Sequence, residues 1–243
     1  EMQLDSLIRQ KTTTSPESNG RPNLSVKRNS KLNSGQRRKR AHKEKKRVTN
    51  LVQTELKRLL HLFKTGQYKE AEKLARSVCR EFPNHQLSWK LLGVILQQTG
   101  RASESLEYCQ KSLELAPQDP EAHFNMSGTL KSLGRLREGE TALRRAIKLQ
   151  PDYMPANFNL ANMMKELGNL AEAEILYRKA IKLRPSFSPA HNGLGTTLQK
   201  LDRIDEAENS FEHAIELQSD YPEAHYNLGN VRSKLRKFEE AGK

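Results

Sequence analysis

Long apolar runs are missing from this chain of 243 residues, and so are most of the residues that build a thick core. Only 35% of it is hydrophobic, it holds one Trp, and its mean hydropathy is -0.83. No stretch approaches the roughly 18 consecutive apolar residues of a membrane-spanning helix, and the first 30 residues contain no apolar signal segment. A soluble, cytoplasmic protein of elongated shape is expected. Cysteine is scarce as well. Cys79 and Cys109 cannot make a disulfide framework and lack metal-ligand spacing, so they read as small apolar core residues. Catalytic signatures are absent too: there is no glycine-rich phosphate loop, no nucleophile elbow and no His-Glu-x-x-His sequence. The expectation is a chain without catalytic chemistry and without a cofactor.

Aromatic residues are wholly absent from the first 50 positions. That segment is Ser, Thr, Asn, Gly, Pro, Lys and Arg, with 14 basic residues against 4 acidic ones, whereas the rest of the chain is nearly balanced. Such a composition buries too little apolar surface to offset ordering entropy, so residues 1–50 are expected to be a disordered basic tail. Within it, "QRRKRAHKEKKR" at 36–47 carries nine basic residues, His42 included, against one acid. A cluster of this kind suits non-specific polyanion contact, or nuclear import in a eukaryote.

From residue 51 a fixed period governs the sequence. Gly66, Gly100, Gly134 and Gly168 are spaced by 34 residues, and Pro83, Pro117, Pro151 and Pro185 keep the same step. Asp202 and Arg236 then occupy the glycine slot and Ser219 the proline slot. The units are 52–85, 86–119, 120–153, 154–187, 188–221 and a partial 222–243. Glycine supplies a tight turn between two helices and proline ends the second. Small residues recur at the eighth slot (Gly93, Ser127, Ala161, Gly195, Gly229), the twentieth (Ala71, Ser105, Gly139, Ala173, Ala207) and the twenty-seventh (Ser112, Ala146, Ala180, Ala214), letting paired helices approach closely. Leu59 breaks the eighth slot of the first unit.

This pattern resembles the tetratricopeptide repeat family over residues 52–243, most clearly through Trp89, Leu92, Gly93, Gly100 and Pro117 in the second unit and Leu160, Ala161, Gly168, Ala173, Tyr177, Ala180 and Pro185 in the fourth. The resemblance implies an all-α, right-handed superhelical solenoid of antiparallel helix pairs whose first helices line a concave groove. In the family, the second, fifth, sixth, ninth, twelfth and thirteenth slots face that groove. Asn125, Asn159 and Asn227 hold the sixth slot, Asn162 and Asn230 the ninth, and Asn192 a fifth slot beside Gly193. The row is similar to the asparagine ladder in the tetratricopeptide arrays of O-linked N-acetylglucosamine transferases. An amide offers donors and acceptors to the backbone of an extended peptide whatever its sequence.

Lys131, Lys165, Lys200 and Lys234 fall on groove slots, which would favour acidic segments or leave ordinary solvated lysines. A chaperone-type carboxylate clamp is not expected: Lys90 takes a fifth slot, but Val94 follows at the ninth and no unit carries the paired basic residues. His123, His191 and His225 recur at the fourth slot with Trp89 and Asn157, and the reading there is packing rather than metal binding. The resulting expectation is a scaffold for protein or peptide segments. The alternative is the substrate-recruiting region of a larger glycosyltransferase, sulfotransferase or oxygenase. Leu228, Val231 and Leu235 of the partial unit are expected to be incompletely covered, with self-association as a consequence.

Overall fold

The computed structural model describes residues 34–241, with side chains at 42–43 and 51–236. These residues form eleven helices: α1 (Ser34–Lys64), α2 (Tyr68–Glu81), α3 (Gln86–Gln98), α4 (Ala102–Leu115), α5 (Pro120–Ser132), α6 (Leu136–Leu149), α7 (Met154–Glu166), α8 (Leu170–Leu183), α9 (Ser188–Lys200), α10 (Ile204–Leu217) and α11 (Pro222–Ala241). The described residues contain no strand. The helices gather into two compact units, α1–α5 up to Arg135 and α6–α11 from Leu136. The fold class is that of a tetratricopeptide solenoid built from antiparallel helix pairs.

The turn chemistry explains the pairing. Gly66, Gly100, Gly134 and Gly168 all sit at positive φ, between 72° and 81°. At each, the next residue's N–H reaches back five residues, as in Arg101 to the Leu96 carbonyl at 2.9 Å and Asn169 to that of Met164 at 2.8 Å. This closes the helix end and reverses the chain. Asp202 adopts the same left-handed geometry at φ 59°. At the last glycine slot stands Arg236, and there the helix does not turn: α11 runs on to Ala241. A side chain disfavours left-handed backbone by roughly 1–2 kcal/mol, and with no second helix to pack against among the described residues, nothing offsets it.

At the other end the structure departs from the expected tail boundary. Residues 34–50 are helical and continuous with the array's first helix. Low hydrophobicity bars a core but not a helix. Lys, Arg, Gln and Ala propagate helix well once a packed segment has supplied the nucleus, and Val52, Leu56, Leu59, Leu60 and Phe63 are that buried segment. In the basic run, His42 and Lys43 are exposed. The reading of a disordered tail over residues 1–33 concerns positions outside the described residues.

Packing follows the small slots. A Cβ at Gly93 would stand 3.0 Å from the Cys109 sulfur, and one at Gly195 would stand 2.7 Å from the Phe211 ring. The eighth and twenty-fourth slots therefore face each other and share one volume. By the same register Leu59 faces Ala75, both fully buried, so the large residue in the first unit is balanced by a small one.

The fourth slot has a common chemistry. Trp89 Nε1 donates to the Pro83 carbonyl at 2.8 Å, and Asn157 Nδ2 to that of Pro151 at 3.2 Å. The Nε2 atoms of His123, His191 and His225 meet the carbonyls of Pro117, Pro185 and Ser219 at 3.0, 2.9 and 2.9 Å. Facing a carbonyl, an imidazole nitrogen must donate. Each unit thus clasps the end of the preceding one with a side-chain N–H, and the recurring histidines serve this bond.

The second helices are tied by ion pairs. Arg101 bonds Glu72 and Glu104 while Arg76 bonds Glu72, Glu104 and the Tyr108 hydroxyl. Three periods later Glu174, Arg178, Arg203 and Glu206 repeat the arrangement, and Arg144 joins Glu140 to Glu172. The Arg101 guanidinium holds the Glu104 carboxyl below its ordinary range, and Arg203 and Arg144 do the same for Glu206 and Glu172.

Candidate functional site

The two compact units divide the asparagine row. Asn125 and Lys131 belong to the α1–α5 unit, and Asn159, Asn162, Asn192, Asn227, Asn230, Lys165, Lys200 and Lys234 to the α6–α11 unit. Their environments differ sharply, although the sequence assigns them to one register.

In the α1–α5 unit the groove slots are closed by an internal network. Lys90, 3% exposed, places its ammonium 2.9 Å from Asp119 and 2.6 Å from Glu121, both of them shielded. Asp119 also caps α5 by accepting the Glu121 N–H at 3.0 Å. Lys90 is therefore committed to the joint between two repeats. Asn125 is 3% exposed, and its Nδ2 has no hydrogen-bond partner among the described residues. Lys131 is exposed.

The α6–α11 unit presents a more open polar wall. Asn192 is 4% exposed and spent: its Nδ2 donates to Glu223 Oε1 at 3.1 Å and to the Tyr221 hydroxyl at 3.3 Å, and its Oδ1 accepts Asn227 Nδ2 at 3.0 Å. Because a carboxylate only accepts, Glu223 fixes which way the Asn192 amide faces, and Asn192 in turn fixes Asn227. Asn227 keeps its Oδ1 and one N–H. Asn159 and Asn162 are half-buried and Asn230 is exposed, so the amides on α7 and α11 reach solvent.

At the sixth slot of α9 the row has Gly193, and the structure shows why no amide stands there. A Cβ at Gly193 would lie 2.5 Å from Tyr177 Cε1 and 2.6 Å from Cζ. The Tyr177 ring from α8 fills this space, and its hydroxyl bonds Asn162 Oδ1 at 2.5 Å. Phe158 meets the ring edge-on at 6.0 Å, and Lys165 Nζ lies 5.8 Å from its centroid. Burial pushes the Tyr177 phenol well above its ordinary value, so it stays a donor. Sequence periodicity marks Tyr177 as a family-pattern residue of the fourth unit but does not connect it with the asparagine row, because its slot belongs to a second helix. The pairing of Gly193 with an aromatic at slot twenty-four was the one available signal.

Charge around the amides is mixed. The groove slots of α7, α9 and α11 hold Lys165, Lys200 and Lys234 against Glu166 and Glu223. Lys234 lies 3.7 Å from Asp202, while Lys200 is exposed. Tyr226, at the fifth slot of α11, is 71% exposed and stands beside Asn227. The expectation for the partial unit needs correction at two of its three residues: Leu228 is 8% and Val231 0% exposed, whereas Leu235 is half-buried and so incompletely covered. The α10 and α9 helices cover Leu228 and Val231, and among the described residues of α11 the exposed large apolar side chain is Tyr226.

Residues 56–120 and 129–186 match the Tetratricopeptide repeat family, with further matches over 176–209 and 200–235. The chain belongs to the tetratricopeptide repeat family. Its fold is shared with solved tetratricopeptide proteins. The crystal structure of MamA superposes with a TM-score of 0.60 at 23% identity, covering 66% of this chain and 94% of that one. A thermophilic tetratricopeptide protein of Thermus thermophilus, TTC0263, gives 0.61 at 19%, covering 74% and 98%. YrrB, described as a tetratricopeptide protein with an unusual peptide-binding site, gives 0.58 at 17%, covering 69% and 87%. No curated protein matches the chain. Among the described residues no cluster of three or more potential metal ligands occurs, and no helix is long and apolar enough to cross a membrane. A tetratricopeptide array of this kind is a protein–protein interaction scaffold.

Proposed function

We propose that the scaffold binds extended peptide segments on the wall formed by α7, α9 and α11, with Asn159, Asn162, Asn227 and Asn230 bonding the peptide backbone. The observation that carries this reading is the distribution of unspent amide groups. Asn159 and Asn230 make no side-chain hydrogen bond among the described residues, although the other amides of this unit, Asn162, Asn192 and Asn227, are bonded. A solvated amide inside a helix is a poor choice on propensity alone, since alanine is preferred there by roughly half a kcal/mol. Tyr226 adds an exposed, stiff aromatic surface next to the amides, the kind of residue that anchors peptide contacts. With three lysines against two glutamates on the wall, recognition rests on backbone hydrogen bonds more than on charge, and an acidic segment is favoured only weakly.

The test is selection of a phage-displayed library of random linear peptides on the immobilised full chain, followed by calorimetry with the best synthetic peptide. Changing Asn159 and Asn230 to alanine removes no internal bond, so the melting temperature should hold or rise. Affinity should fall by about 5- to 150-fold, the equivalent of two hydrogen bonds at roughly 0.5–1.5 kcal/mol each. Failure of the folded wild type to select any peptide, or unchanged affinity in the double variant, would refute the assignment.

A further inference from the structure

Tyr177 and Asn162 make an arrangement that periodicity does not require. The Tyr177 side chain is fully buried, so its hydroxyl proton needs an acceptor, and Asn162 Oδ1 at 2.5 Å is the bonded one. If the amide were turned over, Nδ2 could donate to the phenol oxygen, but the buried phenol proton would be left without its acceptor. The orientation is therefore enforced: Oδ1 points inward to the phenol, and Nδ2 is the group left for the groove.

We infer that Tyr177, by engaging Asn162 Oδ1, makes Asn162 a donor rung, so that the groove at α7 favours a backbone carbonyl oxygen of the bound segment over a backbone N–H. This rests on the peptide-binding reading above and adds hydrogen-bond polarity to it. Neighbouring rungs differ in kind. Asn227 retains both an acceptor and one N–H, because its single internal bond to Asn192 uses only one proton. Asn159 retains both groups. A wall with one donor position beside positions of dual character favours one placement of a peptide carbonyl. It thereby favours one register of the bound backbone without reading any side chain. The Tyr177 ring has a second effect. It fills the place that an amide on α9 would take, so no rung stands at the sixth slot of α9 between Asn162 and Asn227. Tyr177 is a positioning residue; Asn162 makes the contact.

The polarity can be tested by an isosteric exchange. Asn162→Asp keeps an oxygen to accept the Tyr177 hydroxyl and turns the groove-facing donor into an acceptor. Asn162→Ala removes both, and Tyr177→Phe keeps the wedge while releasing the amide. With a peptide selected on the full wild-type chain, Asn162→Asp should melt within a few degrees of wild type yet bind at least about tenfold more weakly, since a carboxylate then faces a carbonyl. Asn162→Ala should lose about 3- to 10-fold, less than the aspartate variant. Tyr177→Phe should lose a similar 3- to 10-fold with its fold intact. Binding by Asn162→Asp equal to or tighter than wild type overturns the polarity, and so does an alanine variant weaker than the aspartate one. In those cases a loss on Asn159→Ala would leave the peptide groove standing. A wild type that selects no peptide overturns both readings.

Discussion

Gly193→Asn would complete the amide row at the sixth slot, and periodicity alone recommends it. The structure reverses that expectation. On the favourable side, asparagine exceeds glycine as a helix former by a few tenths of a kcal/mol. Against this, the new Cβ would lie 2.5, 2.6 and 2.9 Å from Cε1, Cζ and the hydroxyl oxygen of Tyr177. The neighbour is a rigid ring, fully buried and packed edge-on against Phe158, rather than the far end of a flexible side chain. Overpacking of this kind costs about 1–3 kcal/mol. If the ring is displaced, its hydrogen bond to Asn162 is lost as well, at roughly 0.5–1.5 kcal/mol. The net expectation is a destabilisation of about 1–4 kcal/mol, which for an array of this size lowers the melting temperature by roughly 3–15 °C. Urea and thermal unfolding followed by circular dichroism would measure it. Because adjacent groups couple, Tyr177→Leu combined with Gly193→Asn should be more stable than the two single changes predict, by about 1 kcal/mol. A Gly193→Asn protein as stable as wild type, or a double variant whose effects simply add, would refute the shared-volume argument.

Two further outcomes follow from the ionic groups. Lys90→Met should destabilise the α1–α5 unit by about 3–5 kcal/mol, because the shielded carboxylates of Asp119 and Glu121 lose the cation that Lys90 supplies; a urea midpoint within experimental error of wild type would mean that the triad is solvated. The inter-helix carboxyls set the acid limb of stability. Glu104, Glu172 and Glu206 are held below an ordinary value of 4.5, so the unfolded chain binds more protons than the folded one as pH falls through that value. Their contribution is full above about pH 4.5 and is lost below it, so urea midpoints should decline from about pH 5 downward, and the decline should be shallower in an Arg101→Gln, Arg203→Gln protein.

The sequence by itself determined the helix pairs, their turns and their period, because these depend on local chemistry that a fixed spacing repeats. Gly66, Gly100, Gly134 and Gly168 mark left-handed turns wherever they occur, and the small residues at Ala71, Ala173 and Ala207 mark close approach whatever lies opposite. It also gave Asn159 and Asn227 one repeat slot and Asn162 and Asn230 another. Three matters rested on tertiary structure. The helix in α1 runs back to Ser34 because a buried segment nucleates it, and composition alone does not reveal that coupling. Lys90 and Asn192 are spent on Asp119, Glu121, Tyr221 and Glu223, residues some thirty positions away, so their register position does not show whether they are available. The missing rung at Gly193 belongs to the ring of Tyr177, a residue of the preceding second helix. Periodicity specifies which slot a residue holds, whereas hydrogen bonding and volume are settled between slots of different repeats, and only the packed array brings those together.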